Sequence, residues 1–143
     1  MTVSIILAAK GRDVASIEPN APLSAAVALL AEKRIGALVV LGVDRRIVGI
    51  LSERDIVRAL AEHGAQTLDM PVSQVMTRRV STCTEGETIP SIMERMTQGK
   101  FRHVPVVDQG RLAGIISIGD VVKHRLQQME SDSAAMRDYI LTA

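Results

Sequence analysis

Hydrophobic residues recur along the chain with two different periods. In two segments they stand at i, i+4 and i+7, which places them on one face of a helix. These helical positions are Leu23, Val27 and Leu30 in one segment and Ile89, Met93 and Met96 in the other. Two apolar runs separated by turn residues follow each segment. They predict paired strands at residues 37–41 and 47–51, and again at 104–107 and 112–116.

The chain repeats itself. A shift of 66 residues brings Val14 onto Val80, and after a one-residue gap a shift of 65 brings residues 49–55 onto residues 114–120. Two copies of one structural unit therefore fill most of the chain.

Each copy predicts the same order of elements, β-α-β-β-α. A short strand opens the copy, at residues 14–17 and 80–83, and a second helix closes it. The buried face of the closing helix is expected to hold Ile56, Val57 and Leu60 in the first copy and Val122, Leu126 and Met129 in the second. Three strands alone expose too much apolar sheet, so the two copies are expected to pack sheet against sheet about a pseudo-twofold axis. The expected fold class is α+β.

Domain boundaries follow from the two copies. Residues 1–70 are expected to form the first repeat with an N-terminal helix, residues 71–130 the second repeat, and residues 131–143 a C-terminal helical tail. In the tail, Met136 and Ile140 stand at helical spacing and predict a further short helix. Its apolar face needs a covering surface, in this chain or in a second one.

The composition of the chain argues against a nucleic-acid-binding function. The 143 residues include 17 Lys and Arg against 16 Asp and Glu, a formal net charge of +1, so no overall field attracts a polyanion. Aromatic residues make up 1% of the chain, too few for the stacking surface of single-strand or RNA-binding modules. We therefore expect no nucleic-acid partner.

Cysteine content and hydropathy indicate a cytoplasmic protein. Cys83 is the only cysteine, so neither an intrachain disulfide nor a cysteine-based zinc site can form. Its counterpart in the first copy is Ile17, which predicts a small buried side chain rather than a catalytic thiol. The charge-free stretches are too short to cross a bilayer, and the three histidines lack metal-ligand spacing. We expect no membrane partner and no metal requirement.

The pattern Gly-h-h-Ser-x-x-Asp, in which h is apolar, occurs at residues 49–55 and 114–120. In each case a predicted strand ends and a helix begins at the serine. One interpretation is a capping box, in which Ser52 or Ser117 accepts from the backbone N–H of the following aspartate. The other is a ligand site, because a helix N-terminus and a hydroxyl suit a phosphate and an ionised aspartate accepts from ribose hydroxyls. On that interpretation Asp55 and Asp120 hold riboses.

Together these segments resemble a pair of cystathionine-β-synthase-type (CBS) motifs, called a Bateman module. The resemblance rests on the two Gly-h-h-Ser-x-x-Asp segments, on Arg-His-Val-Pro-Val at residues 102–106, and on residues 35–40 and 75–77. It implies a ligand-sensing module for the adenine nucleotides AMP, ADP, ATP or NAD(H), with S-adenosylmethionine as a less favoured ligand. Modules of this family commonly pair into disc-shaped dimers, so a homodimer is expected.

Three residues of the second copy suit a phosphate site. Arg102 can bind a phosphate with two parallel donors, and His103 carries a charge that changes near neutral pH. Pro105 removes one donor from its strand and can leave the strand edge open. In the family the matching basic positions often face the phosphates. A solvated arginine and a packed histidine are the structural alternative.

The first copy lacks these side chains. Gly36 and Ala37 stand where the second copy has Arg102 and His103. The basic residues that the first copy carries instead are Arg54, Lys10 and Arg12. The two clefts are therefore expected to differ, and one is expected to be empty or to take another ligand.

Adenine needs apolar walls and a few backbone hydrogen bonds. Candidates for these contacts are Val14, Ile50, Thr77, Val80, Ser81 and Ile115. The apolar members of this set are equally suited to a hydrophobic core.

The sequence is compatible with three functions. The first is a non-catalytic nucleotide sensor that regulates a separate polypeptide, because little of the chain lies outside the repeats. The second is a structural dimerisation adaptor whose nucleotide sites are vestigial. The third is a small nucleotide hydrolase with Asp120 and His103 as acid and base, which has few catalytic parts.

Overall fold

Two β-sheets lie at the centre of the computed structural model, which describes residues 1–142. The strands are β1 (Ser16–Ile17), β2 (Ala37–Leu41), β3 (Ile47–Ser52), β4 (His103–Asp108) and β5 (Arg111–Ser117). The helices are α1 (Val3–Lys10), α2 (Leu23–Lys33), α3 (Glu53–His63), α4 (Val72–Val75), α5 (Ile89–Gly99) and α6 (Ile118–Thr142). Short 3₁₀ turns occupy Val43–Arg45 and Gly64–Asp69. This mixture of helices and strands confirms the α+β fold class.

The first repeat has the predicted order of elements. Its sheet runs β1-β2-β3, with β1 parallel to β2 and β2 antiparallel to β3. Four of the five residues of β2 are buried, which explains the unbroken apolar run in its sequence. The helices α2 and α3 contribute Leu23 and Ile56 to a core shared with Leu38 and Leu51 of the sheet.

The second repeat lacks its predicted opening strand. Its sheet contains only β4 and β5, and residues 80–83 contribute a single bridge between Cys83 and Val106. The cause is Pro105, because a parallel ladder would next require its backbone N–H to donate to the Ser81 carbonyl, and proline has none. The equivalent bonding in the first repeat is intact, since β1 pairs with β2 over two residues.

The prediction for the buried face of the closing helices was wrong in most positions. Of the six residues assigned to it, only Ile56 is buried, and α3 buries Ala59 beside it while α6 buries Val121. The exposed members are Val57, Leu60, Val122, Leu126 and Met129. The sheet covers one narrow stripe of each helix, and these five residues lie outside that stripe.

The pseudo-twofold relation extends beyond the copies found in the sequence. At a shift of 69 residues α1 corresponds to α4, and equivalent backbone N–H groups, those of Val3 and Val72, donate to Glu87 and Ala21 respectively, at 2.9 and 2.8 Å. α1 precedes the first repeat in the chain but packs on the second repeat, and α4 precedes the second repeat but packs on the first. The N-terminal helix, which lies in the range expected for the first repeat, therefore completes the core of the second one.

The C-terminal tail is part of α6 rather than a separate short helix. α6 runs for 25 residues, because the sequence has neither glycine nor proline after Gly119. All residues from 131 to 142 are exposed, and Ala143 lies outside the described residues. Within residues 1–142, none of the helices combines the length and the apolar character needed to span a membrane.

Candidate functional site

A cleft of about 580 Å³ opens between the two repeats. The first repeat contributes the end of β3 and the start of α3, and the second contributes the segments before β4 and before α5. Of the residues singled out in the sequence, those that line the cleft are Gly36, Ile50, Ser52, Arg54, Asp55, Thr77, Val80, Ser81, Arg102 and His103.

The first motif forms a capping box at the start of α3. The Asp55 backbone N–H donates to Ser52 Oγ at 3.3 Å, and the Ser52 backbone N–H donates to Asp55 Oδ2 at 3.0 Å. The other carboxylate oxygen, Oδ1, accepts from the Thr77 hydroxyl at 3.0 Å. The capping interpretation is confirmed for this motif. Since an ionised carboxylate has about four acceptor positions, Asp55 keeps capacity for further donors in the cleft.

A glycine of the motif brings Thr77 to this position. Ile50 and Thr77 exchange two backbone hydrogen bonds, of 2.9 and 2.8 Å. A Cβ atom on Gly49 would lie 2.9 Å from Met76 Cγ and 3.0 Å from the Thr77 carbonyl oxygen. The absence of a side chain at this residue therefore allows the linker to lie directly against β3.

The cleft has a positive charge. Five cationic side chains line it against two carboxylates, those of Glu53 and Asp55. The cationic residues are Arg54, Arg58, Arg79, Lys100 and Arg102. Cations in a concave surface between low-dielectric walls attract anions, and here they lie beside the N-terminus of α3. The cleft can therefore hold an anionic group such as a phosphate.

His103 lies at the boundary between the two motifs. Burial lowers the pKa of His103, and Lys10 lowers it further, while Asp120 and Glu53 act in the opposite direction. The net direction is downward, so the ring is neutral at pH 7. Gly36 leaves the space beside the ring open, since a Cβ there would lie 3.7 Å from His103 Cε1.

The structure combines the two copies across the cleft. Arg102 and His103 belong to the second copy, and the first copy lacks equivalent side chains. The start of β4 lies opposite the start of α3, however, so both side chains line the same cleft as Ser52 and Asp55. The pseudo-twofold axis that relates the two repeats places the first strand of the hairpin of one repeat opposite the closing helix of the other.

The second motif is also a capping box, but its aspartate has a charged partner. Asp120 N–H donates to Ser117 Oγ at 3.1 Å, and Ser117 N–H donates to Asp120 Oδ2 at 2.8 Å. The Lys10 ammonium donates to Asp120 Oδ2 at 2.7 Å and to the Ile115 carbonyl at 3.0 Å. Burial raises the pKa of Asp120, but the hydrogen bonds from Lys10 and Ser117 outweigh it and leave the pKa below its usual value.

The remaining residues singled out in the sequence lie outside the lining of the cleft. Arg12 forms an exposed ion pair with Glu85. Ala37 and Pro105 are buried in the strands β2 and β4, and Val14 is half-buried.

Several residues of the cleft were missed in the sequence. Arg58 stands one helical turn after Arg54 on α3, so the i, i+4 spacing of two arginines was an available signal. Arg79 corresponds to Lys10 at the shift of 69 residues, which differs from the shifts of 66 and 65 residues that align the two copies. Lys100 ends α5 in a left-handed conformation with φ 57°, which no pattern in the sequence indicated.

Cysteine and metal chemistry have no support among residues 1–142. Cys83 is 2% exposed, which confirms it as a small buried side chain, and burial raises the pKa of its thiol to about 11. In the same residues no group of three or more His, Cys, Asp or Glu side chains could hold a metal ion.

Comparisons with known proteins find relatives in sequence and in fold. The model of the CBS domain matches residues 10–62 and 72–127. The crystal structure of a CBS-domain containing protein from Agrobacterium tumefaciens is 48% identical, covers 87% of this chain and 92% of its own, and has a TM-score of 0.84. The chain spans 64%, 39% and 58% of the length of three curated relatives that it matches.

Two similar structures contain an adenosine compound. A CBS domain protein from Pyrobaculum aerophilum in complex with AMP is 31% identical, with a TM-score of 0.75 and coverage of 84% of this chain and 89% of its own. The CBS domain pair of protein MJ0100, in complex with 5′-methylthioadenosine and S-adenosyl-L-methionine, is 25% identical, with a TM-score of 0.76 and coverage of 90% and 98%. The two segments matched by the family model cover most of the chain, and similar structures share its fold, so the chain belongs to the CBS-domain family, with two CBS motifs.

Proposed function

We propose that this chain is a non-catalytic regulatory module that binds one adenine nucleotide in the cleft between its repeats. The observation that carries the proposal is the presence of Asp55, at the N-terminus of α3, in the same cleft as five cationic side chains. A nucleotide needs an acceptor for ribose hydroxyls and donors for phosphate, and this cleft offers both.

Each part of a nucleotide has a matching surface. Asp55 accepts the ribose hydroxyls, and the start of α3 together with Arg102 binds the phosphate. Val80 and Ile50, which line the cleft, provide apolar surface for adenine. The carbonyl of Ser81, which Pro105 leaves without a ladder donor, accepts from the adenine amino group.

The positive charge of the cleft predicts which adenosine compounds it favours. Five cations against two carboxylates favour AMP, ADP, ATP and NAD(H), all of which carry phosphate. S-adenosylmethionine carries a sulfonium cation and no phosphate, so it is disfavoured here. The AMP complex of the Pyrobaculum aerophilum relative supports a ligand that carries phosphate.

We expect the second motif, with Ser117 and Asp120, to bind a nucleotide more weakly than the first. The Lys10 ammonium neutralises the charge of the Asp120 carboxylate in the ligand-free chain, whereas Asp55 accepts from neutral donors. A carboxylate paired with a cation is a weaker acceptor for ribose hydroxyls, so we expect one nucleotide per chain. Ligand binding would then favour one arrangement of the repeats, which a partner protein recognises.

A thermal-shift panel tests the proposal. The compounds are AMP, ADP, ATP, NAD, NADH and S-adenosylmethionine, and a ligand at 100 times its Kd adds about 2.7 kcal/mol to the stability of the folded chain. We expect a phosphate-bearing compound to raise Tm by several degrees, and this increase to be lost in Asp55→Ala but kept in Asp69→Ala, an exposed control. No shift across the panel would contradict the proposal and favour the adaptor with vestigial sites.

A further inference from the structure

An apolar stripe runs along α6 on its solvent side. Its members follow one another at alternating distances of four and three residues, and they are Val122, Leu126, Met129, Ser133, Met136 and Ile140. The five apolar members are between 47% and 66% exposed. We call this set the α6 stripe.

The spacing of the α6 stripe is that of a coiled coil. Alternating steps of four and three residues average 3.5, the heptad period that keeps one seam facing a partner helix. Leu126, Ser133 and Ile140 take the a positions, and Val122, Met129 and Met136 take the d positions. A helix packed on its own domain alone does not need this period.

The stripe faces away from the body of its own chain. Val121 is fully buried against the body, and His124 and Gln128 on the same side of the helix are half-buried. At about 100° per residue these three lie roughly 100° to 160° around the helix from the centre of the stripe. A second helix can therefore reach the stripe without meeting the body.

The last turns of α6 lack packing within residues 1–142. All side chains from 131 to 142 are exposed, and the side-chain hydrogen bonds of Thr142 are to α6 itself. A helical segment of this length is marginal in water unless its apolar face is covered. The stripe accordingly requires a partner of matching length.

We propose that the α6 stripe pairs with the α6 stripe of a second copy as a parallel two-stranded coiled coil. In that arrangement each g position faces the e position five residues further along the partner helix. Arg125 then faces Glu130 of the other copy, and Asp132 faces Arg137. Both contacts join opposite charges, and twofold symmetry makes each of them twice.

An antiparallel pair fits the stripe less well. Opposite charges also meet in an antiparallel register that brings Arg125 near Asp132 of the other copy and Lys123 near Glu130. That register overlaps only residues 122–133, so Met136 and Ile140 would lie beyond the coil. The parallel arrangement covers the whole stripe with its charges paired.

Sedimentation equilibrium of the full chain tests the interface. We expect a dimer, and we expect Met136→Glu to raise its Kd about a hundredfold or more, because two carboxylates would then meet in one apolar layer. The matched control is Leu141→Glu, which alters a residue of the same helix that is 78% exposed and off the stripe. A monomeric wild type, or a dimer whose Kd Met136→Glu leaves unchanged, would overturn the proposal. Met136 is exposed, so thermal melting should show both variants folded.

Charge exchange tests the orientation. At low salt, Arg125→Glu and Glu130→Arg should each raise Kd about fivefold, since each turns two attractive contacts into repulsive ones. The double variant should recover the wild-type Kd, because a parallel pair restores both contacts. An antiparallel pair would leave Arg125 and Glu130 facing other residues, so failure of the double variant to recover would overturn the parallel arrangement. These measurements need no nucleotide and are independent of the proposed ligand.

Discussion

The Lys10 ammonium lies 2.7 Å from Asp120 Oδ2, whereas the aspartate at the same place in the first motif, Asp55, accepts a 3.0 Å hydrogen bond from the neutral Thr77 hydroxyl. The two capping boxes are otherwise alike. The difference arises because α1 continues to Lys10, while its counterpart α4 ends at Val75 and leaves Thr77 in extended chain beside β3. The Asp120 carboxylate therefore has a cationic partner within the chain, and the Asp55 carboxylate has neutral hydrogen-bond donors.

Lys10→Met should destabilise the fold. Without the ammonium, the half-buried Asp120 carboxylate loses a charged partner, which we expect to cost about 1 kcal/mol at pH 7. Urea unfolding measures this cost, with the exposed Lys33→Met as control. A change no larger than that of the control would show that the ion pair does not stabilise the fold.

The cost of Lys10→Met should also depend on pH. The pKa of Asp120 lies below its usual value, so its ion pair contributes stability above the unfolded aspartate pKa of about 3.9 and loses it as the pH falls through the folded value. The difference in unfolding free energy between wild type and variant should therefore shrink on acidification below pH 4. A difference that is constant from pH 7 to pH 3 would contradict the assignment.

Nucleotide affinity should rise as the pH is lowered from about 8 toward 6.5. Burial holds the pKa of His103 below its usual value in the free chain, and a bound phosphate raises it, so binding takes up a proton. Calorimetry across this range should show the trend in wild type and in His63→Gln, and a flat profile in His103→Gln. An unchanged slope in His103→Gln would assign the proton to another group.

Gly49→Ala should destabilise the chain by about 1 to 3 kcal/mol, the usual range for overpacking. Its Cβ would lie 3.0 Å from the Thr77 carbonyl oxygen, which is backbone and cannot rotate away. Gly86→Ala is the control, since nothing lies within 4 Å of a Cβ there. Chemical denaturation compares the two, and equal stabilities would mean that the linker does not lie tightly against β3.

Cys83 should react slowly with a thiol reagent in the native chain. The side chain is 2% exposed, and burial raises the pKa of its thiol to about 11, so the thiolate is scarce at pH 8. The same reagent should react at once in urea. Rapid labelling of the native chain would contradict the burial.

Local sequence patterns predicted much of the fold and of the first motif. Both capping boxes follow from residues three apart in the chain, and the two copies align because their apolar positions serve equivalent cores. Pro105 was recognised as a residue that opens a strand edge, and the structure has only a single bridge at that edge.

Relations between distant segments were not predictable in the same way. Nothing local to Arg102 indicates that it lies in the same cleft as Asp55, because that placement depends on how the two repeats pack together. The role of Lys10 depends on the length of α1, and helix ends are weakly determined by sequence. The identity of Met1, Val3 and Ser4 with Met70, Val72 and Ser73 was a visible signal of the longer repeat.

The most direct test of the nucleotide site is calorimetric titration with the strongest ligand of the panel, comparing wild type with Asp55→Ala and Asp120→Ala. We expect one site per chain in wild type, and a loss of about 10-fold to 100-fold in affinity in Asp55→Ala, which removes charged hydrogen bonds to ribose. Asp120→Ala should bind with nearly the wild-type affinity. Unchanged binding in Asp55→Ala, or loss of binding only in Asp120→Ala, would contradict the assignment of the site to the first motif.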